Sequence, residues 1–125
     1  MGDSEFSIRI GGHEIVVDLP PEAGGEDAGP SPTQLLVGSL AACFAFFGRG
    51  YLHARGLPDR VNVSARWSIE LTPTRVDLVE INVAAPYLPS GKLDAFRRAI
   101  EQCTVHNTLR DPPKIVYDIV AGQDN

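Results

Sequence analysis

The chain has 125 residues and a mass of 13.5 kDa, the size of one domain. Hydrophobic residues make up 43% and charged residues 22%, ordinary globular usage that excludes disorder and low complexity. Sixteen acids against eleven Lys and Arg give a formal charge of −5, which argues against a nucleic-acid partner or an anionic membrane surface. Two cysteines are too few for a disulfide-scaffolded secreted domain. The opening Met-Gly-Asp-Ser-Glu has no basic stretch of the kind that starts a signal peptide. The longest apolar run, Leu35 to Phe47, falls short of the roughly 20 residues a bilayer span needs. A single cytoplasmic domain over residues 1–125, without a membrane partner, is expected.

Glu5 to Ile10 and His13 to Leu19 read as two strands joined by the two-residue turn Gly11-Gly12. Pro20-Pro21 ends the second, and residues 22–31 read as a solvated connection. A helix is predicted from Pro32 to Arg55. Ser31 is its N-cap, Pro32 its first residue and Gln34 a capping-box partner, with Gly56 closing it in the left-handed conformation. The helix is apolar almost all round for its first two-thirds, so protein must cover most of its sides. A chain this small cannot supply that cover alone, and a homodimer is expected.

Val61, Val63, Ala65, Trp67, Ile69 and Leu71 alternate with polar residues, the period of a half-buried strand. After the turn at Pro73-Thr74, the strand Arg75 to Ala84 changes apolar phase between Leu78 and Val79, which predicts a β-bulge near Leu78. A second helix is predicted from Leu93 to His106. Leu93, Phe96, Ile100 and Cys103 fall within an arc of about 80° on it, so Cys103 belongs to the apolar stripe. Asp111-Pro112-Pro113 stops the helix, and Lys114 to Val120 reads as a last strand. The order β-β-α-β-β-α-β is an α+β pattern.

The two cysteines carry the chemical information. Each can be a small core hydrophobe, since free Cys is among the most buried residue types; together they can be a redox pair. Pro-Ser-Pro-Thr-Gln-Leu-Leu-Val-Gly-Ser-Leu-Ala-Ala-Cys, from Pro30 to Cys43, resembles the central-helix signature of the OsmC/Ohr family. Cys-Thr-Val-His-Asn-Thr-Leu, from Cys103 to Leu109, resembles that family's second-cysteine motif, in which proline usually stands where Thr104 is. The likeness runs from about Asp18 to the C-terminus.

This resemblance implies an intertwined α+β homodimer with a long buried central helix and strands from both chains. It also implies reduction of organic hydroperoxides by a cysteine pair and an external dithiol reductant, with no metal, flavin or haem cofactor. Cys43 corresponds to the peroxidatic cysteine and Cys103 to the resolving one. In active members an N-terminal arginine, held by a glutamate near the start of the central helix, activates the thiol. Arg9 is the candidate for that arginine and His13 a protonatable alternative, whereas uncharged Thr33 and Gln34 stand where the glutamate would be.

The need for such a partner also follows from the residues themselves. Cys43 lies too far along its helix to use the N-terminal dipole. None of its neighbours at three, four or seven residues is a cation, and Arg49 and Arg55 fall roughly 120° away. Thr33, Gln34, Phe46 and Phe47 are taken as substrate-pocket residues, the phenylalanines as an apolar wall beside Cys43.

Other groupings are less specific. Cys43, His53, Cys103 and His106 give four zinc-type ligands but no paired Cys-x-x-Cys, so no metal is expected. A Cys-His nucleophile pair lacks an orienting third residue. His106 reads as a helix-end residue near the last carbonyls. Trp67 and Tyr87 read as core or interface aromatics. The leading reading is a cysteine peroxidase. The alternative is a divergent relative that binds a hydrophobic ligand or senses oxidants without efficient turnover.

Overall fold

A computed structural model describes residues 4–122 of the chain. β1 (Phe6–Ile10) and β2 (His13–Val17) form an antiparallel hairpin in which Ile10 pairs with His13 across Gly11-Gly12. Gly11 has φ +59°, the left-handed conformation that a two-residue hairpin turn requires.

The second strand, expected to reach Leu19, stops at Val17 because Asp18 takes the chain inward. Its side chain is only 2% exposed. The carboxylate accepts hydrogen bonds from the Ser4 hydroxyl and from the main-chain N–H groups of Leu19, Glu26 and Ala28. The connection expected to be merely solvated is therefore wound around a buried charge. It contains one short 3-10 turn, Pro21–Ala23. The winding is tight: a Cβ on Gly25 would stand 1.9 Å from the Leu19 carbonyl oxygen.

This loop delivers the chain to α1 (Pro32–Ala54), one residue shorter than predicted. The Ser31 hydroxyl accepts from the Gln34 N–H at 3.1 Å, and the Gln34 side-chain oxygen accepts from the Ser31 N–H at 2.9 Å. The predicted capping box is formed. At the far end Gly56 has φ +67°. Its N–H donates to the His53 carbonyl, and the Leu57 N–H donates to that of Leu52, the paired bonds of a Schellman cap.

β3 (Asn62–Glu70) and β4 (Arg75–Ala84) form a second antiparallel hairpin against which α1 packs. Its register slips where the phase change predicts. Ser68 faces Leu78 and Ile69 faces Val76, leaving Asp77 as the extra residue. Leu78 is thereby turned outward, 50% exposed, while Val79, Ile81 and Val83 return to the half-buried face.

Two expectations are corrected downstream. The helix predicted from Leu93 to His106 is two helices, α2 (Leu93–Ile100) and α3 (Thr104–Arg110), after a short 3-10 turn at Ser90–Lys92. Cys103 leaves the helical backbone at φ −54°, ψ 121°, and its sulfur caps α3 by accepting from the His106 N–H at 3.4 Å. The break lets the chain turn Cys103 onto α1, whereas a continuous helix would carry it past. Residues 114–120 form no strand within the chain. Ile115, Val116, Tyr117, Ile119 and Val120 are 77 to 87% exposed. Their β-branched composition suits a strand, but no sheet edge of the same chain receives them.

The core gathers where α1 meets α2: Tyr51, Leu52, Phe96 and Ile100, ringed by Phe44, Leu57, Val61, Val83 and Leu88. Tyr51 and Phe96 meet edge to face at 5.6 Å. A Cβ on Gly48 would stand 2.9 Å from the tip of Phe96, so the bare backbone at residue 48 is what lets α2 approach. By length and composition α1 is apolar enough to cross a bilayer. Tyr51 and Leu52 at its C-terminal end pack into this core, while only 28% of its apolar stretch is buried within the chain.

Asp18 is held at about 2, below the usual 3.8, chiefly by the Ser4 hydroxyl and the Ala28 N–H. A depressed carboxylate stabilises the fold fully above its unfolded value and loses that contribution as pH falls through its folded one. Asp18→Asn should lower the urea midpoint at neutral pH. The deficit relative to the natural chain should shrink as pH falls from about 3.8 towards 2. A deficit that stays constant across that window would mean the carboxylate's charge is irrelevant.

Candidate functional site

Cys43 sits midway along α1 and is half-buried; Cys103, at the α2–α3 break, has 0% exposure. Helix periodicity puts each on a buried face but does not fix how the helices cross. The crossing brings the two free thiols near enough for each to shift the other's ionisation.

Burial pushes the Cys43 thiol up, as it does any thiol removed from water. The hydrogen bond from Cys103 opposes this, and so do the main-chain N–H groups of Val105 and Thr104. The balance falls below the ordinary thiol value of 9.0. Cys103 is displaced the other way. Burial and the hydrogen bond it donates to Cys43 hold it above the ordinary value, and the His106 N–H offsets this only in part. The pair therefore shares its first ionisation, with the α3 N–H groups favouring the charge on Cys43.

Among the described residues of this chain, no cation is among the groups acting on the Cys43 sulfur. Arg9 is exposed on β1 opposite Glu14, and His13 is exposed at the hairpin turn. Neither is among the groups acting on the Cys43 sulfur. Arg49 is bound to Asp59 at 3.3 Å, and the Arg55 guanidinium lies 3.6 Å over the Tyr51 ring. The donors instead come from the first turn of α3, whose N–H groups have no partner within their own helix. Sequence reasoning missed them because the break that frees them was unforeseen. The available signal was Thr104 itself, which has an N–H where related motifs carry proline.

The remaining candidates are dispersed. The Gln34 side chain is engaged in the capping box, and Thr33 is half-buried in the same turn. Phe46 is 67% exposed and lines a surface cavity of about 290 Å³ with Arg49, His53 and Asp59, while Phe47 is half-buried. A more apolar cavity of about 390 Å³ lies between α2 and β4, walled by Phe44, Val83, Phe96 and Ile100 and reached by Arg97 and His106. His106 is thus not at a helix C-terminus, as expected, but in the first turn of α3. Its ring meets Phe44 edge-on at 5.6 Å, and its Nδ1 is buried without a hydrogen-bond partner. His53 faces Asp59 at 3.9 Å, away from that ring, so the four zinc-type ligands do not converge.

Fold and site together define an α+β protein with a long helix presenting one thiol to a second, buried thiol. The family model described as OsmC-like protein matches residues 24–118. The chain belongs to the OsmC-like family. No curated protein matches it in sequence. Among solved structures, an OsmC-like protein from Mycoplasma pneumoniae superposes with a TM-score of 0.71 at 19% identity, over 88% of this chain and 82% of that one. A Psychrobacter arcticus 273-4 protein, named for osmotic stress induction and a detoxification response, gives 0.71 at 20% identity, over 84% and 86%. An organic hydroperoxide resistance protein from Legionella pneumophila gives 0.55 at 24% identity, over 86% and 90%.

The role of the α3 amides has a direct check. Thr104→Pro removes one N–H at the first helical position, where proline is favoured, after a residue whose backbone already suits it. The pH profile of Cys43 alkylation by iodoacetamide should move to higher pH, and the rate at neutral pH should fall severalfold. An unmoved profile would assign the thiolate's stabilisation elsewhere.

Proposed function

We propose that the protein is a cytoplasmic thiol peroxidase that reduces organic hydroperoxides to alcohols at the expense of a dithiol. One arrangement carries this reading: two free thiols, half-buried Cys43 on α1 and buried Cys103 at the α2–α3 break, act on each other, Cys43 shifted down and Cys103 up. The name of the Legionella pneumophila neighbour supports the substrate class.

The Cys43 thiolate attacks one oxygen of the hydroperoxide, forming an S–O bond as the O–O bond breaks. The alkoxide takes a proton and leaves as alcohol, and Cys43 becomes a sulfenic acid. The Cys103 sulfur then attacks the Cys43 sulfur. A disulfide forms, and hydroxide departs with the thiol proton as water. Exchange with the external dithiol regenerates both thiols and leaves the reductant as a disulfide.

A second reading, an apolar-ligand binder or oxidant sensor, is favoured by the 390 Å³ cavity and the unpartnered His106 Nδ1 beside it. Consumption of cumene hydroperoxide with excess dithiol separates the two. A peroxidase should consume it, Cys43→Ser should fall to background, and Cys103→Ser should turn over about once and stall. Saturable uptake of an apolar ligand, unaffected by Cys103→Ser and without peroxide consumption, would support the binder.

The reading includes a homodimer. Among the described residues both sheets have two strands, an arrangement marginal by itself, and five apolar residues between 114 and 120 are exposed and unpaired. Strand addition to a partner's sheet edge satisfies both. Sedimentation should give twice 13.5 kDa for the full chain, and truncation after Pro113 should abolish it. A monomeric full chain would remove the dimer from the proposal.

A further inference from the structure

We infer that the reducing thiol attacks the Cys43 sulfur of the Cys43–Cys103 disulfide, with Cys103 as the leaving group, because Cys103 has no surface open to any nucleophile from outside. The inference builds on the disulfide of the peroxidase reading and settles a choice that reading leaves free.

Cys103 has 0% exposure, whereas Cys43 keeps some. On α1 the residues four before and one before Cys43 are Ser39 and Ala42, both exposed and both short. A partner protomer can only subtract exposure, so Cys103 stays sealed in any assembly. Whatever opening remains leads to Cys43.

Leaving-group chemistry points the other way. The thiol of lower pKa departs faster, and that thiol is Cys43, which would favour attack on Cys103. The two effects differ greatly in size. The leaving-group preference changes the rate by a graded factor, whereas a sealed sulfur is not attacked at all. Attack on Cys103 requires the chain packed over it to open first, because none of its surface is exposed. Access therefore decides.

The step balances as follows. The incoming thiolate forms an S–S bond to Cys43, the Cys43–Cys103 bond breaks, and Cys103 departs as a thiolate that takes up a proton. Cys103 now lies beside the mixed disulfide. A monothiol is expelled by its return to Cys43. In a dithiol, the second sulfur attacks the first, releases the Cys43 thiolate and closes the reductant's own disulfide.

The test uses no hydroperoxide. The protein is oxidised with diamide until both free thiols are lost, exposed briefly to glutathione, quenched in acid, unfolded and capped with N-ethylmaleimide. Peptide mapping should find glutathione on Cys43 and N-ethylmaleimide on Cys103, at least tenfold over the reverse arrangement. Glutathione mainly on Cys103 overturns the inference, as does failure of diamide to join the two cysteines.

A second measurement runs the exchange backwards with 5,5′-dithiobis(2-nitrobenzoate) on the native protein. Cys103→Ser should react at its remaining thiol at least tenfold faster than Cys43→Ser does; equal rates overturn the proposal. A chain that passes both tests yet consumes no hydroperoxide refutes the peroxidase reading and leaves the order of exchange standing.

Discussion

Phe96 reaches α1 only because residue 48 has no side chain. A Cβ there would stand 2.9 Å from the ring tip, and the ring is held in place by Tyr51 and Ile100. Removing a buried aromatic of this kind typically costs about 3–5 kcal/mol, so the contact is among the strongest single terms a small core has. Its consequence reaches past stability. Seating Phe96 fixes where α2 ends, and the end of α2 fixes where Cys103 can turn inward. The distance between two sulfurs on different helices thus depends on a glycine one turn beyond Cys43. Chemistry and packing also share a single atom there, because the Cys103 sulfur both caps α3 and acts on the Cys43 thiol.

A thiol in an apolar helix is a poor place to make a thiolate. Burial raises its pKa, and the helix's own dipole fades within the first turn, well short of Cys43. Importing a cation is one solution, and the resemblance leads one to expect Arg9 in that role. Within this chain Arg9 instead stands opposite Glu14 on an outer hairpin. The N–H groups of a different helix do the work, aided by a neighbouring thiol. Amide donors have one advantage over a guanidinium: they are fixed by the backbone and have no rotamer freedom to lose. They also tie reactivity to conformation, since unwinding the start of α3 removes the donors and the second thiol together.

What could be read from the sequence follows the range of the interactions involved. The capping box of Ser31 and Gln34, the left-handed Gly56, the Gly11-Gly12 turn and the bulge near Leu78 each depend on residues close together in the chain or facing each other across one hairpin. All four are found. The two-cysteine resemblance added the family and the fold class. The readings that failed depended on partners far along the chain. Leu93, Phe96, Ile100 and Cys103 keep helical period, so periodicity does not announce the break before Cys103. Asp18 looked like a strand residue because its donors come from Ser4 and from residues up to ten positions later. Lys114 to Val120 has the composition of a strand, but composition does not supply an edge.

That last segment bears on how far a single chain explains the site. Five apolar side chains left in water represent surface whose burial would contribute about 25 cal/mol per Å². The proposed order of reactivity does not depend on that burial. Cys103 is already buried within its own chain, and the asymmetry between the thiols arises from burial, from their mutual effect and from main-chain N–H groups of α3. Association can narrow the approach to Cys43 and shape which molecules fit it, but it cannot reverse which sulfur is met first. Selectivity and reactivity are therefore set at different levels, the first by whatever covers the outer face of α1 and the second by the packing of Phe96 on Gly48.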